Sequence, residues 1–378
     1  MEAEAPAPAF LALSPAAAAA RVEALGGRAF HAKVVRRELL ARGVLTYAAM
    51  SGLSRVLRER LAASLPLLAG EEAARARAPD GAEKLLTRFP DGACVETVHI
   101  PSRSAGRRAT LCVSSQVGCP VGCPFCASGR DGLVRNLAAH EILEQFLRGR
   151  ALGPLSRAVV MGIGEPLLNL PALEEALEVV RREIGLGARR ITVSTIGFPE
   201  RVRRLAARRP GFQLAISLHS PFDAERSELV PAMAGVPVEE VLAAGDEWFA
   251  RTGREVTYEY VLLGGRNDGP SHAARLAARL AGRRATVNLI PYNAVEGSGA
   301  VAPVPGAPER FRDLLAAAGV VATIRRSRGA AADAACGQLR IRHAAPPGPA
   351  GAGPGPATPS AAETPRRARG GGPPRPPR

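Results

Sequence analysis

The chain has few cysteines, few aromatic residues, almost no lysine and no long apolar run. Its 378 residues include six cysteines, and aromatic residues make up 4% of the total. No apolar stretch reaches the roughly 18 to 20 residues that cross a bilayer, and the N-terminal stretch begins acidic, unlike an export signal. We therefore expect a cytoplasmic protein without membrane association. So few cysteines in so long a chain also argue against a disulfide scaffold.

Positive charge, by contrast, is abundant and comes almost entirely from arginine. Lys and Arg together number 50, against 35 Asp and Glu, so the formal net charge is +15. The sequence pI is near 10.8. This balance favours a polyanionic partner such as nucleic acid. Because the composition is also rich in Ala, Gly and Pro, a general replacement of Lys by Arg explains part of the charge, and both interpretations stay open.

Composition and periodicity divide the chain into three parts. Apolar residues at helical spacing predict helices over 15–25, 32–42 and 54–65, which indicates a small helical module over residues 1–90. The arginines of this module suit either RNA contact or a solvated face. Residues 344–378 are rich in Pro, Gly and Arg and too poor in large apolar groups to order, which predicts a disordered tail. A larger domain over residues 91–343 lies between them.

In that middle part, short β-branched or apolar runs alternate with helical patterns. The predicted strands are 109–113, 157–162, 190–194, 212–218, 255–262 and 285–290, and the predicted helices are 138–149, 171–183, 199–207, 238–251 and 271–281. Six such units predict an α/β fold, a partial (β/α)6 barrel with parallel strands. Chemistry in such barrels gathers at the carboxyl ends of the strands, and the conspicuous motifs all fall there.

The first of these motifs is a cysteine triplet, Cys119, Cys123 and Cys126, in the run GCPVGCPFC. Structural zinc sites usually pair two such cysteines with two further Cys or His ligands, which this chain lacks nearby. A four-iron cluster that only carries electrons takes four thiolates, so three leave one iron open. We expect a [4Fe-4S] cluster whose open iron binds S-adenosylmethionine through its amino and carboxylate groups. Zinc and inert core cysteines are the alternatives.

The motifs after the other strands suit binding of that cofactor. Gly164 and Glu165 lie in GIGEP, where glycine lets the backbone approach a ligand and the carboxylate can accept hydrogen bonds from an ammonium group. Further candidate cofactor ligands lie at the ends of later strands: Ser194, Ser217, Leu218, His219 and Asn293. For any one of the polar residues, a turn or capping role is the alternative.

Together these segments resemble one family closely. The matching runs, between Glu96 and Leu339, are VETVHIP, ATLCVSSQVGCPVGCPFCASG, RNL, MGIGEPLLN, ITVSTIG, LAISLHSP, YEYVLL, NLIPYN and AACGQL. They resemble the radical S-adenosylmethionine RNA methyltransferases of the RlmN and Cfr types, which act on adenine carbon-2 and carbon-8 respectively. The segment GRAFHAKVVRRELLARGV is similar to the N-terminal RNA-contacting module of that family. The resemblance covers nearly the whole chain apart from the tail.

The resemblance implies roles for residues that the pattern alone leaves as buried or surface positions. Cys336 would take a methyl group from a first S-adenosylmethionine, and a radical made from a second would remove hydrogen from that methyl group. The resulting carbon radical would add to adenine and join the enzyme to RNA. Glu96 would then remove the ring proton, and Cys112 would attack Cys336, forming a transient disulfide and releasing the product. Cys94 keeps the interpretation of a buried, inert residue.

The implied substrate is 23S rRNA, with position 37 of tRNA as a second one, and the implied electron donor is a protein such as flavodoxin. We expect a monomer that methylates carbon-2. The alternatives are a carbon-8 methyltransferase, a non-catalytic iron-sulfur protein that binds RNA or senses redox state, and a radical enzyme for a small molecule. The chain departs from the family pattern at Ala331 and Ala332, beside the Cys336 loop, and at Val34 and Glu38 in the N-terminal module.

Overall fold

Three helices begin the chain in the computed structural model, which describes residues 8–102, 108–293 and 298–325. They are α1 (Pro15–Ala24), α2 (Ala29–Leu40) and α3 (Arg55–Ser64). Serine hydroxyls cap two of them: Ser14 accepts from Ala17 N at 3.2 Å, and Ser54 accepts from Leu57 N at 3.3 Å. Such caps satisfy backbone N–H groups that lack helical partners. All three helices match the sequence prediction to within a few residues.

An antiparallel meander follows, which the sequence analysis did not predict. Its strands are β1 (Glu71–Arg77), β2 (Glu83–Arg88) and β3 (Cys94–Ile100). The run EEAARAR of β1 is composed of helix-favouring residues, but pairing with β2 along its length overrides that local preference. The prediction of helices is therefore confirmed for α1 to α3. The helical module predicted over residues 1–90 is wrong for residues 71–88, which form β1 and β2.

The remaining elements are strands and helices that alternate except at β4 to β6 and at α7 to α8. In order they are β4 (Ala109–Val113), β5 (Gln116–Gly118), β6 (Leu133–Asn136), α4 (Ala139–Leu152), β7 (Leu155–Val160), α5 (Leu170–Val179), β8 (Ile191–Thr195), α6 (Pro199–Arg208), β9 (Gln213–Ser217), α7 (Asp223–Leu229), α8 (Val238–Thr252), β10 (Val256–Leu262), α9 (Pro270–Leu280), β11 (Ala285–Pro291), α10 (Ala307–Ala317) and β12 (Ala322–Ile324). All six predicted strands and all five predicted helices are present.

One sheet joins the meander to the parallel strands, in the order β1-β2-β3-β4-β7-β8-β9-β10-β11-β12. Pairing is antiparallel from β1 to β4 and parallel from β4 to β12. The predicted partial α/β barrel is confirmed. The short strand β12 extends the parallel part beyond the six predicted strands. The described residues belong to one compact unit, and the boundary at residue 90 stays a prediction.

Side chains of the parallel strands alternate between the helices and the barrel interior. On β10, Tyr258 and Tyr260 are buried on the helix side, where the Tyr260 hydroxyl donates to the Asn267 carbonyl oxygen at 2.9 Å. The intervening Thr257, Glu259 and Val261 line a cavity on the other face. No helix within the described residues combines the length and apolar character that crossing a membrane requires.

The N-terminal helices are tied to the helices of the barrel by arginines. Arg36 on α2 makes two hydrogen bonds to the Glu183 carboxylate, at 2.6 and 2.8 Å. Arg150 on α4 donates to the carbonyl oxygens of Leu40 and Ala41 at the end of α2, at 2.8 and 2.6 Å. Glu38, one of the departures from the family pattern, is buried and pairs with Arg42 at 3.1 Å. Several arginines here therefore hold the module in place.

Candidate active site

A cavity of about 820 Å3 opens inside the partial barrel, toward the carboxyl ends of its strands. Most of the residues that the sequence analysis selected line it: Cys112, Cys119, Cys123, Cys126, Gly164, Glu165, Ser194, Ser217, His219 and Asn293. Residues more than 170 positions apart in the chain are thus brought to one space. The strand-end motifs therefore line one cavity, and their role as a single site stays a prediction.

The cysteine triplet lies in the loop between β5 and β6. Cys119 N donates to the Gly132 carbonyl oxygen at 2.9 Å, and Cys126 N donates to the Cys123 carbonyl oxygen at 3.0 Å, which folds the loop back on itself. Burial raises the pKa of the Cys119 thiol to about 12 and also raises that of Cys123. Loading of a metal centre must therefore displace thiol protons, and iron supplies the positive charge that favours the thiolates.

The donor set fits an iron-sulfur cluster. Three cysteine thiols come from one short loop and line the cavity together. A four-iron cluster is held by cysteine thiolates, which is the chemistry that this loop offers. Cys119, Cys123 and Cys126 are the residues that would hold the cluster.

Glu165 is the buried carboxylate beside the triplet. It accepts hydrogen bonds from the Thr195 hydroxyl at 2.6 Å, from Ile196 N at 2.9 Å and from Leu167 N at 3.0 Å. Burial raises the pKa of Glu165, and these donors oppose the shift. A cationic ligand in the cavity would favour the ionised form further. The three donors thus fix the orientation of the Glu165 carboxylate at the cavity.

Buried polar side chains that the sequence analysis missed link the cysteine loop to GIGEP. The Gln116 side chain accepts from Glu165 N at 2.7 Å and donates to Asn136 Oδ1 at 2.8 Å. Asn169 Nδ2 donates to the carbonyl oxygens of Ser115 and Leu137, both at 2.8 Å. These bonds fix the two motifs relative to each other. Residue type alone gives no signal of them, because Gln and Asn are ordinary surface residues.

Gly164 holds a conformation and a space that only glycine fits. Its φ is 109°, and an added Cβ would lie 2.6 Å from Gln116 Cβ and 2.7 Å from Ser115 Oγ. We expect Gly164→Ala to cost about 1 to 3 kcal/mol at the site. The dissociation constant for S-adenosylmethionine should then rise by about 5- to 150-fold. Equilibrium binding to the iron-loaded protein measures this change.

Gly187→Ala is the matched control for that prediction. Gly187 has an ordinary φ of −64°, and a Cβ added there would meet no neighbouring atom within 4 Å. The control should bind S-adenosylmethionine as the parent does. Equal affinities for the two alanine variants would show that the backbone at Gly164 does not shape the cofactor site.

His219 enters the cavity as a neutral hydrogen-bond donor. Burial lowers its pKa to about 3, and the nearby Arg226 adds to the shift. Its Nδ1 accepts from Val261 N at 3.2 Å, so the ring proton resides on Nε2. The ring packs edge-on against Phe125 of the cysteine loop, at 5.1 Å between centroids. His219 thereby connects the cluster loop to the end of β9.

Three of the predicted site residues are not among the described residues that line the cavity. Leu218 is fully buried, and its backbone N donates to the Glu259 carbonyl oxygen at 2.9 Å, so its neighbours Ser217 and His219 face the cavity in its place. Glu96 is buried on β3 and pairs with Lys84 Nζ at 3.1 Å. Cys336 lies outside the described residues, as do Ala331, Ala332 and the predicted tail.

The cavity also holds charged and polar groups that the sequence analysis did not select. Glu259 lines it and accepts from Asn288 Nδ2 at 2.7 Å, and burial raises the pKa of Glu259. Arg226 is buried nearby and donates to the carbonyl oxygens of Ile196 at 2.7 Å and Ser217 at 3.3 Å. A carboxylate in the middle of the apolar strand β10 was the available signal for Glu259.

Known proteins share this arrangement. Residues 113–277 match the family model of the Radical SAM superfamily. The probable dual-specificity RNA methyltransferase RlmN of Rhodopirellula baltica is 46% identical over 321 residues, covering 83% of this chain and 86% of that protein. The dual-specificity RNA methyltransferase RlmN of Anaeromyxobacter dehalogenans is 44% identical over 333 residues, covering 85% and 88%. The chain belongs to the RlmN family.

A solved structure supports the same assignment. The radical SAM methyltransferase from Sphaerobacter thermophilus is 39% identical, with a TM-score of 0.79, over 87% of this chain and 98% of that one. Membership of the RlmN family implies a [4Fe-4S] cluster and S-adenosylmethionine, as the cysteine triplet predicted. It also favours the methyltransferase interpretation over a non-catalytic iron-sulfur protein.

Proposed function

We propose that the chain methylates carbon-2 of an adenine in RNA through a methyl-cysteine intermediate. The substrates would be 23S rRNA and position 37 of tRNA, in keeping with the dual specificity in its relatives' names. The observation that carries the proposal is the position of Cys112. This thiol is not part of the triplet, yet it lines the same cavity as the triplet and Glu165. A thiol there can act on a group bound in the cavity.

The three triplet cysteines would hold the cluster, and Glu165 would receive the amino group of S-adenosylmethionine. When bound and reduced, the cluster would supply one electron for the cleavage of S-adenosylmethionine. Ser194, Ser217, His219 and Asn293 would bind the rest of the cofactor. The neutral His219 offers a donor, and the serine hydroxyls and the amide can both donate and accept.

Cys336 would begin the chemistry as a thiolate that attacks the methyl carbon of a first S-adenosylmethionine; a carbon–sulfur bond forms on Cys336, and S-adenosylhomocysteine leaves. The methyl group would then give up one hydrogen atom to the 5′-deoxyadenosyl radical from a second S-adenosylmethionine, which becomes 5′-deoxyadenosine, and the remaining carbon radical would add to adenine carbon-2. One electron leaves to a one-electron acceptor and the ring proton leaves to Glu96, which restores the aromatic ring. A thioether then links the base to Cys336.

Cys112 completes the turnover by attacking the sulfur of Cys336. A sulfur–sulfur bond forms and the carbon–sulfur bond breaks, with its electron pair remaining on carbon. That carbon takes up a proton and becomes the methyl group of the product. A thiol reductant then reopens the disulfide, which suits a reducing compartment.

The remaining parts of the chain would serve the substrate and the electron supply. Residues 1–90 would contact RNA, and residues 91–343 would form the catalytic domain. We propose a monomer that receives electrons from a donor such as flavodoxin. An unstacked adenine in a single-stranded loop suits the site, because the ring carbon is not accessible within a helix.

The test is anaerobic reaction of the iron-loaded enzyme with ribosomal RNA fragments, a reductant and S-adenosylmethionine, followed by mass spectrometry of the nucleosides. We expect 2-methyladenosine in the rRNA fragment and in a tRNA anticodon stem-loop. An 8-methyladenosine product would contradict the proposed regiochemistry. The absence of any methylated adenosine from an enzyme with an intact cluster would contradict the activity itself.

A further inference from the structure

Lysine is nearly absent from this chain, and one of its two copies is buried. Of the 50 Lys and Arg residues, only Lys33 and Lys84 are lysines. Lys33 is exposed on α2, whereas Lys84 on β2 is only 5% exposed. Lys84 Nζ lies 3.1 Å from Glu96 Oε2, and Glu96 is 3% exposed. Almost all basic residues of this chain are arginines, but the residue that pairs with the Glu96 carboxylate is a lysine, which has a compact ammonium group.

The strand register places the ion pair on the sheet face that Val98 and Cys112 present to the active-site cavity, although neither Lys84 nor Glu96 is itself among the lining residues. Lys84 is opposite Val98, and Val98 is opposite Cys112, so the three form one row across β2, β3 and β4. Opposite residues of antiparallel strands share a face, and neighbouring strands are about 4.8 Å apart. The Cα atoms of Lys84 and Cys112 are therefore about 10 Å apart along this row.

The alternation of side chains along β3 places Glu96 on the same face of the sheet as Val98. Val98 lines the cavity, and Glu96 is two residues away on the same side of the strand. The intervening Thr97 points the other way, since its hydroxyl donates to Gln145 Oε1 of α4 at 3.2 Å. The Glu96 backbone is fixed as well, because its carbonyl oxygen accepts from the Ser114 hydroxyl at 2.8 Å.

Stability alone is a weak reason for such a pair. Removing two charges from water costs free energy that their attraction often fails to recover, so a buried ion pair stabilises little compared with apolar residues. For a purely structural ion pair, arginine would serve as well as lysine. The two side chains differ in geometry, because the guanidinium group of arginine is a planar fork and the ammonium group of lysine is a compact point charge. The burial, the register and the residue choice together indicate a role in the site.

We propose that Lys84 is a positioning residue that holds the Glu96 carboxylate oriented toward the base bound beside Cys112. The inference rests on the proposed function of Glu96. In the step concerned, the proton on adenine carbon-2 passes to a Glu96 oxygen, and the electron pair of that carbon–hydrogen bond stays in the ring. Lys84 keeps its proton and acts only through Glu96.

The experiment follows the covalent enzyme–RNA adduct through a single turnover of the iron-loaded, Cys336-methylated protein on an rRNA fragment. Denaturing gels separate the rate of adduct formation from the rate of its resolution. We expect Lys84→Met to form adduct within about twofold of the parent rate but to resolve it at least about tenfold more slowly. Lys84→Arg, which keeps the charge, should recover most of the resolution rate. Cys94→Ala, a change at a buried residue of the neighbouring strand that does not line the cavity, is the control and should behave as the parent.

Glu96→Gln separates positioning from a general structural effect. This variant should also accumulate adduct, and adding Lys84→Met to it should slow resolution by no more than about twofold further, because coupled residues are not additive. Equal resolution rates for Lys84→Met and the parent would overturn the inference. The inference would also be overturned if Lys84→Met slowed adduct resolution in the Glu96→Gln background by as large a factor as it does in the parent.

Iron content and thermal unfolding report whether each variant folds. Lys84→Gln, which keeps an N–H donor without the charge, replaces the Met variant if that one loses its cluster. If neither neutral variant loads iron, Lys84 is a structural residue and the inference is overturned. A parent that forms no adduct, or a Glu96→Gln variant that resolves it normally, would instead show that the proposed function of Glu96 fails. The inference would fail with it.

Discussion

Replacing Cys112 by alanine is expected to stop the enzyme while it is covalently attached to its RNA. Without that thiol, nothing in the proposed route breaks the carbon–sulfur bond to Cys336, although methyl loading and radical addition can still occur. Formation of free methylated RNA should fall at least about 1,000-fold, equivalent to about 4 kcal/mol of barrier. A protein–RNA band on a denaturing gel should appear in its place, with the iron content unchanged.

Cys94→Ala is the control for this experiment. Cys94 is also a buried cysteine, two residues from Glu96 on β3, and its sulfur lies 3.6 Å from the Gly92 carbonyl oxygen. It does not line the cavity. The control should release methylated RNA at the parent rate. If Cys112→Ala releases product as Cys94→Ala does, the role of Cys112 is wrong.

Replacing Cys123 by alanine should abolish activity at an earlier stage. Two thiolates from the loop are too few to retain the cluster, so bound iron should fall below about one-tenth of the parent content. Both adduct and product should be lost, and cleavage of S-adenosylmethionine with them. Elemental analysis and electron paramagnetic resonance of the reduced protein measure the loss.

The two cysteine variants are controls for each other. Cys112→Ala should keep its iron and form adduct, whereas Cys123→Ala should do neither. A Cys123→Ala protein that retains a full cluster and cleaves S-adenosylmethionine would show that the triplet does not hold the iron. An iron-free Cys112→Ala protein would show that the two roles have been assigned to the wrong residues.

The barrel could be predicted from the sequence because its parallel strands are short β-branched or apolar runs that alternate with helical patterns. The predicted strand 109–113 coincides with β4, and the other five differ from their observed bounds by a few residues at most. The meander could not be predicted in this way. EEAARAR favours a helix by composition, and its strand conformation comes from pairing with β2, a contact that local periodicity does not contain.

The same distinction applies to the site. Cys119, Glu165 and His219 were predicted because their residue types carry chemistry at recognisable spacings. Gln116 and Asn169, which join the motifs, carry no such signal, because their roles depend on backbone groups that only the fold brings near. Sequence reasoning selected Glu96 through the family resemblance but not its partner Lys84. The register between β2 and β3 is needed to find that pair.

The central claim is that the methyl group reaches RNA by way of Cys336 with loss of one hydrogen atom. Reaction of the enzyme with S-adenosylmethionine carrying a trideuterated methyl group tests it in one measurement, the mass of the methylated adenosine. We expect two deuterium atoms in the product methyl group, since one is abstracted and a proton later replaces it. A product that retains all three deuterium atoms would mean direct methyl transfer and would contradict the account.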